Sequence, residues 1–153
     1  FMTQTRGTGV MNRTFHSYGP FKSGITGRVN GTLISMETGS AVAFAIFNLQ
    51  DRGEMFIGHN TEVYEGMICG EHTRENDLEV NFLKGKKLTN MRASGTDENV
   101  VLTPPRKMSL EEKMAYINDD EVLEVTPKNL RLRKKYLDHH VRKRMSKNNP
   151  QDF

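Results

Sequence analysis

Between residues 121 and 133 the chain alternates in a way that calls for a paired strand. Glu121 to Val125 and Asn129 to Arg133 flank the turn sequence Thr126-Pro127-Lys128, so the two runs are expected to fold back on each other as a hairpin. On the second run Leu130 and Leu132 point one way and Arg131 and Arg133 the other, because successive side chains of a strand face opposite sides. The expected product is a half-buried strand with a basic outer face.

Helix signals stand on both sides of this hairpin. Ser109 and Glu112 form a Ser-x-x-Glu capping box, which predicts a helix running to about Asn118. Asp138 is placed to cap a terminal helix to Lys147, expected to expose Arg142, Lys143, Arg144 and Lys147. A third helix is expected over residues 41–52, with Ser40 as N-cap and Gly53 as its stop. Strands are expected over 10–18, 32–37, 55–57, 61–69, 78–82 and 100–102. These elements give an α+β fold with a mainly antiparallel sheet, for which barrel-like closure is one arrangement, and about three helices.

The 153 residues suit one domain, or one domain plus a piece of a second. A single cysteine, Cys69, excludes an intramolecular disulfide framework, and no apolar run approaches the roughly 20 residues of a membrane span. A cytoplasmic protein is the expectation. The opening Phe1-Met2-Thr3-Gln4 lacks the pattern of a signal peptide and reads as a cut inside a longer protein.

A net charge of +3 conceals a strong polarity. Residues 1–83 carry −3, 84–107 carry +4, 108–127 carry −5 and 128–153 carry +7. Single blocks of this kind are often solvated faces, but two basic blocks fit a polyanion, which binds by releasing counterions, better than a neutral substrate. Nucleic acid therefore leads the partners. A docking module whose basic helix grips an acidic protein or membrane surface is the alternative.

Catalytic signals are thin. Cys69-x-x-His72 has half the spacing of a zinc site and no second cysteine, so no metal is expected and Cys69 reads as a small buried hydrophobe. Asp119-Asp120-Glu121 reads as a solvated turn, and Gly85-Lys86 lacks the Ser or Thr and the earlier glycine of a phosphate loop. The chain itself is expected to hold no cofactor and to catalyse nothing.

The sharper signal is the segment 84–98, KGKKLTNMRASGTDE, which has neither helical nor strand periodicity. Lys84, Lys86 and Lys87 offer point charges for phosphates, Arg92 a planar fork, and Asn90, Ser94 and Thr96 short hydrogen-bonding groups. Its lack of aromatic residues argues against base stacking.

Several ordered strings together resemble the carboxy-terminal region of the TypA/BipA family of translational GTPases: NGTLISMETG at 30–39, NLQDRG at 48–53, GHNTEVYEGMI at 58–68, GEHTRENDLEVN at 70–81, KKLTNMRASGTDE at 86–98, LTPPRKMSLEE at 102–112 and EVTPKNLRLRKKYLD at 124–138. The resemblance implies that residues 1–19 are the tail of a ferredoxin-like module similar to domain V of elongation factor G. It further implies that 20–147 form the family's C-terminal domain and that 148–153 are a frayed tail. GTP and Mg would belong to an amino-terminal domain outside this chain. The implied partners are the ribosome, large-subunit rRNA and the acceptor end of A-site tRNA, engaged by a monomer acting in large-subunit assembly and in stress or cold adaptation. The residues implied to touch RNA are Lys84, Lys86, Lys87, Asn90, Arg92, Ser94 and Thr96 in the loop, with Arg131, Arg133, Lys134 and Lys135 adding orientation.

Overall fold

The strand Met67–His72 (MICGEH) is the axis of the fold, five of its six residues being buried. In a computed structural model that describes residues 5, 8–20, 28–85 and 101–148, the elements run β1 (Thr32–Ser35), β2 (Gly39–Ser40), α1 (Ala43–Leu49, continued by a 3-10 turn Gln50–Arg52), β3 (Gly53–Met55), β4 (Glu62–Val63), β5 (Met67–His72), β6 (Leu78–Val80), α2 (Leu110–Tyr116), β7 (Glu121–Val125), β8 (Leu130–Lys134) and α3 (His139–Asn148). The fold is α+β. Its main sheet has six strands in the order β6-β1-β5-β8-β7, with β3 also paired to β5. All pairings are antiparallel except β1 with β6. Among the described residues the sheet is open, so the barrel-like closure is not formed.

Alternation along β5 gives the sheet two apolar faces. Met67 and Cys69 enter a first core with Leu33, Ile46 of α1 and Phe82, whereas Ile68 enters a second with Leu132, Met108 and Tyr116 of α2. Burying side chains such as Leu33, Phe82 and Leu132 contributes about 1.5–3 kcal/mol each. Two glycines are required by close approach. A Cβ on Gly31 would lie 2.2 Å from the Asn76 carbonyl carbon, and Gly66 has a φ of +82° with Leu137 Cα 2.7 Å from where a Cβ would sit.

The predicted hairpin and capping box are both present: Val125 pairs with Leu130, and the Ser109 and Glu112 side chains receive each other's backbone N–H. Asp138 Oδ1 likewise accepts the Val141 N–H at the start of α3. Elsewhere the elements differ. Ser40 caps no helix, because β2 pairs with β4 (Ser40 with Glu62) and the helix begins only after Val42. Gly53 is extended, at φ 171°, and starts β3. Residues 8–20, expected to include a strand, form no regular element and are largely exposed, with no partner strand among the described residues. Residues 101–109 are also irregular.

Candidate nucleic-acid interface

The outer face of the hairpin is organised by one carboxylate. Glu124 lies opposite Arg131 on β7–β8 and receives Arg131 Nη1 at 3.3 Å, Arg133 Nε at 4.0 Å and the Tyr64 hydroxyl at 2.6 Å. The Tyr64 hydrogen bond, aided by the two guanidiniums, holds the Glu124 carboxyl below its ordinary value, while burial and Glu124 push the Tyr64 hydroxyl up. Arg131 and Arg133 remain about 30% exposed, so each keeps part of its fork toward solvent. Lys135 is exposed just beyond them.

Lys134 does not share this face. It follows Leu132 onto the second face, where its side chain is 4% exposed and meets Asp77 and Asp120 at 2.6 Å and Glu121 at 2.9 Å. Burial pushes its ammonium down, but Glu121 and Asp77 override this and hold it above its ordinary value. The expectation that Lys134 joins an outer basic surface is therefore corrected: adjacent residues on a strand cannot face the same side. Asp120 and Glu121 are corrected with it, since they belong to this buried cluster and not to a solvated turn. Arg28 completes the cluster by clasping Glu121 through both nitrogens.

Of the loop residues, Lys84 is described and exposed; Lys86, Lys87, Asn90, Arg92, Ser94 and Thr96 lie outside the described residues. What the structure does place is the two sides of that segment. Leu83 and Leu102 both pack against the first core.

Cys69 is fully buried in that core, and the His72 ring nitrogen Nδ1 lies 2.6 Å from the Asn76 carbonyl oxygen. Among the described residues no three His, Cys, Asp or Glu side chains are grouped to hold a metal, and no described helix is long and apolar enough to cross a membrane.

Residues 30–139 match the sequence profile described as the TypA/BipA C-terminal domain. The chain belongs to the TypA/BipA family. It is 57% identical over 148 residues to proteins named large ribosomal subunit assembly factor BipA from Salmonella typhimurium, from Buchnera aphidicola subsp. Schizaphis graminum and from Escherichia coli K12, covering 96% of this chain in each case. It spans about 24% of the length of those curated relatives.

In this TypA/BipA chain, α3 covers the second face differently from what its sequence suggests. Arg142, expected on the exposed side, is 8% exposed. Its Nη2 reaches Glu79 at 2.6 Å, and its Nη1 donates to the Tyr136 carbonyl at 2.9 Å and to that of Leu137. His139 Nδ1 also lies against Glu79. Between α3 and the sheet is a cavity of about 730 Å³, lined among others by Arg28, Asp77, Glu79, Asn118, Lys143 and Ser146. The charges of Arg28, Asp77 and Glu79 are already paired within the domain.

Proposed function

We propose that this chain is the ribosome-engaging, RNA-contacting C-terminal module of a large-subunit assembly factor. The observation that carries the reading is the 57% identity, over nearly the whole chain, to proteins named for that role. The hairpin face supports it physically. Arg131 and Arg133 are held in register by Glu124, and a guanidinium that keeps free donors toward solvent suits a phosphate oxygen.

In this reading Lys84, Lys86, Lys87 and Arg92 neutralise phosphates of rRNA and of the A-site tRNA acceptor end. Asn90, Ser94 and Thr96 fix the register, and Arg131, Arg133 and Lys135 orient the domain. GTP and Mg are handled by another part of the longer protein, which acts in the cytoplasm as a monomer and serves large-subunit assembly under stress or cold. The isolated chain then neither binds nor hydrolyses GTP, which calorimetry with GTP and a phosphate-release assay check.

The test of RNA contact is binding to large ribosomal subunits across a salt series. Lys86→Ala/Lys87→Ala and Arg131→Ala/Arg133→Ala should each weaken association and flatten the dependence of log affinity on log salt by roughly 0.7–0.9 per lost contact. Arg52→Ala/Arg74→Ala, an exposed pair of equal charge, should change it little. Equal losses from all three pairs would show that net charge alone matters and would defeat the assignment.

A further inference from the structure

The cations of this domain are divided between opposite faces of one sheet. Met67, in the first core, is registered with Arg133, and Ile68, in the second, with Leu132. Alternation therefore puts Arg131 and Arg133 on the first face. Glu79 is registered with Ile34, and Ile34 with Ile68, so the carboxylate that receives Arg142 lies on the second face and brings α3 there with it.

With Arg142 turned inward, His140, Lys143, Arg144 and Lys147 are left exposed on α3. None of the described side chains of α3 belongs to either apolar core. Its sequence, HHVRKRMSKN, contains no acid. Lys143 and Lys147 thus sit one turn apart as like charges, an arrangement that disfavours a helix unless an anion lies against it. A membrane surface fits poorly, because the larger apolar residues of α3, Val141 and Met145, are partly buried and no bulky anchors stand opposite the cations.

We propose that the domain grips two RNA backbones at once, one along Arg131 and Arg133 and the other along Lys143, Arg144 and Lys147, and so holds two RNA segments together across the thickness of its sheet. This rests on the RNA-contacting role proposed above and adds a second, separate contact to it. Two sites on opposite faces cannot be served by one short duplex, whereas a large folded RNA offers many backbone pairs at such a spacing.

The experiment uses the chain with two short RNA duplexes, one carrying a fluorescence donor and the other an acceptor. Energy transfer should rise as protein is added and fall again in excess protein, when each duplex is held by its own molecule. In a Lys86→Ala/Lys87→Ala background, which removes the loop's own RNA contact, Arg131→Ala/Arg133→Ala and Lys143→Ala/Lys147→Ala should each still bind one duplex through the face left intact, yet lose the transfer. Circular dichroism checks the fold, and Arg142 is left in place. Binding without transfer at any ratio would overturn the bridge while sparing the RNA-contacting role; no RNA binding at all would remove both. Transfer surviving in either variant overturns the proposal. Transfer restored by mixing the two variants also overturns it, since protein association and not one bridging molecule would then join the RNAs. Weakened binding of Lys143→Ala/Lys147→Ala to phosphatidylserine vesicles, with RNA bridging unchanged, would assign α3 to a membrane instead.

Discussion

Arg28 and Glu121, 93 residues apart, meet fork to fork: Nη1 lies 2.9 Å from Oε2 and Nη2 2.7 Å from Oε1. The Glu121 side chain is completely enclosed and that of Arg28 is 6% exposed. The guanidinium stacks 4.5 Å from the Tyr116 ring centroid, and Lys134 approaches the same carboxylate at 2.9 Å. The segment leading into β1 is thereby fastened to the two strands whose other face carries Arg131 and Arg133.

Removing one member of this group should be costly in a way that removing an outer arginine is not. Arg28→Ala is expected to lose about 3 kcal/mol, the lower end for breaking a buried pair because Lys134 still faces Glu121. Arg131→Ala, whose partner Glu124 stays solvated and keeps Tyr64, should change stability by less than about 1 kcal/mol. Urea unfolding of the two variants beside the parent chain measures the contrast.

The same cluster sets the acid sensitivity of the fold. Burial pushes the Glu121 carboxyl up, but the Arg28 fork and Lys134 pull it below its ordinary 4.5; burial likewise raises Asp77, and Lys134 with Thr32 brings it below 3.8. A depressed folded-state value means stability that is complete above the unfolded value and lost as pH falls through the folded one. Unfolding free energy should therefore be flat near neutrality and decline from just above pH 4.5 downward. Glu121→Gln should make that decline shallower while lowering stability at pH 7, as read from urea titrations across pH.

The local signals of the sequence translated directly where no distant partner competed. The Ser109 box and the Thr126 turn involve residues three apart, and both form. Ser40 has equally good capping chemistry, but β4, more than twenty residues on, takes its backbone into a ladder. The inward turn of Lys134 follows from the alternation that places Arg133 outside, so that part of the buried cluster was legible. Arg28 was not, because nothing in a loop arginine announces a carboxylate 93 residues away. Arg142 was hidden for a related reason, standing in a run of cations whose common charge masks which of them faces Glu79.

Cys69 should be chemically silent in the folded chain. It is fully buried, and burial pushes its thiol well above the ordinary range, so neither access nor thiolate is provided. A water-soluble aromatic disulfide should release no chromophore from native protein over minutes and one equivalent after denaturation. Rapid native labelling would mean that the first core opens around β5 far more readily than its packing implies.

Arg142 and Lys143 are neighbours of the same charge with opposite environments, which makes them a sharp pair for testing how α3 is held. Arg142 donates to two carbonyl oxygens of the chain just before the helix and to Glu79 on the sheet, whereas Lys143 is exposed. Because none of the described side chains of α3 joins either core, these polar contacts, with the His139 N–H to Glu65, carry its docking. Hydrogen bonds made by a charged donor contribute roughly 1.5–3 kcal/mol, and alanine leaves the Tyr136 and Leu137 carbonyls to find water. Arg142→Ala should therefore lower stability by about 2 kcal/mol and raise amide hydrogen exchange specifically in α3, leaving β5 and β8 protected. Lys143→Ala should stay within about 0.5 kcal/mol of the parent with α3 exchange unchanged, as expected for a solvated side chain. If both variants behave alike, α3 is not pinned through Arg142 and Glu79; exchange that rises equally throughout the domain in Arg142→Ala would show instead that the helix unfolds only with the whole.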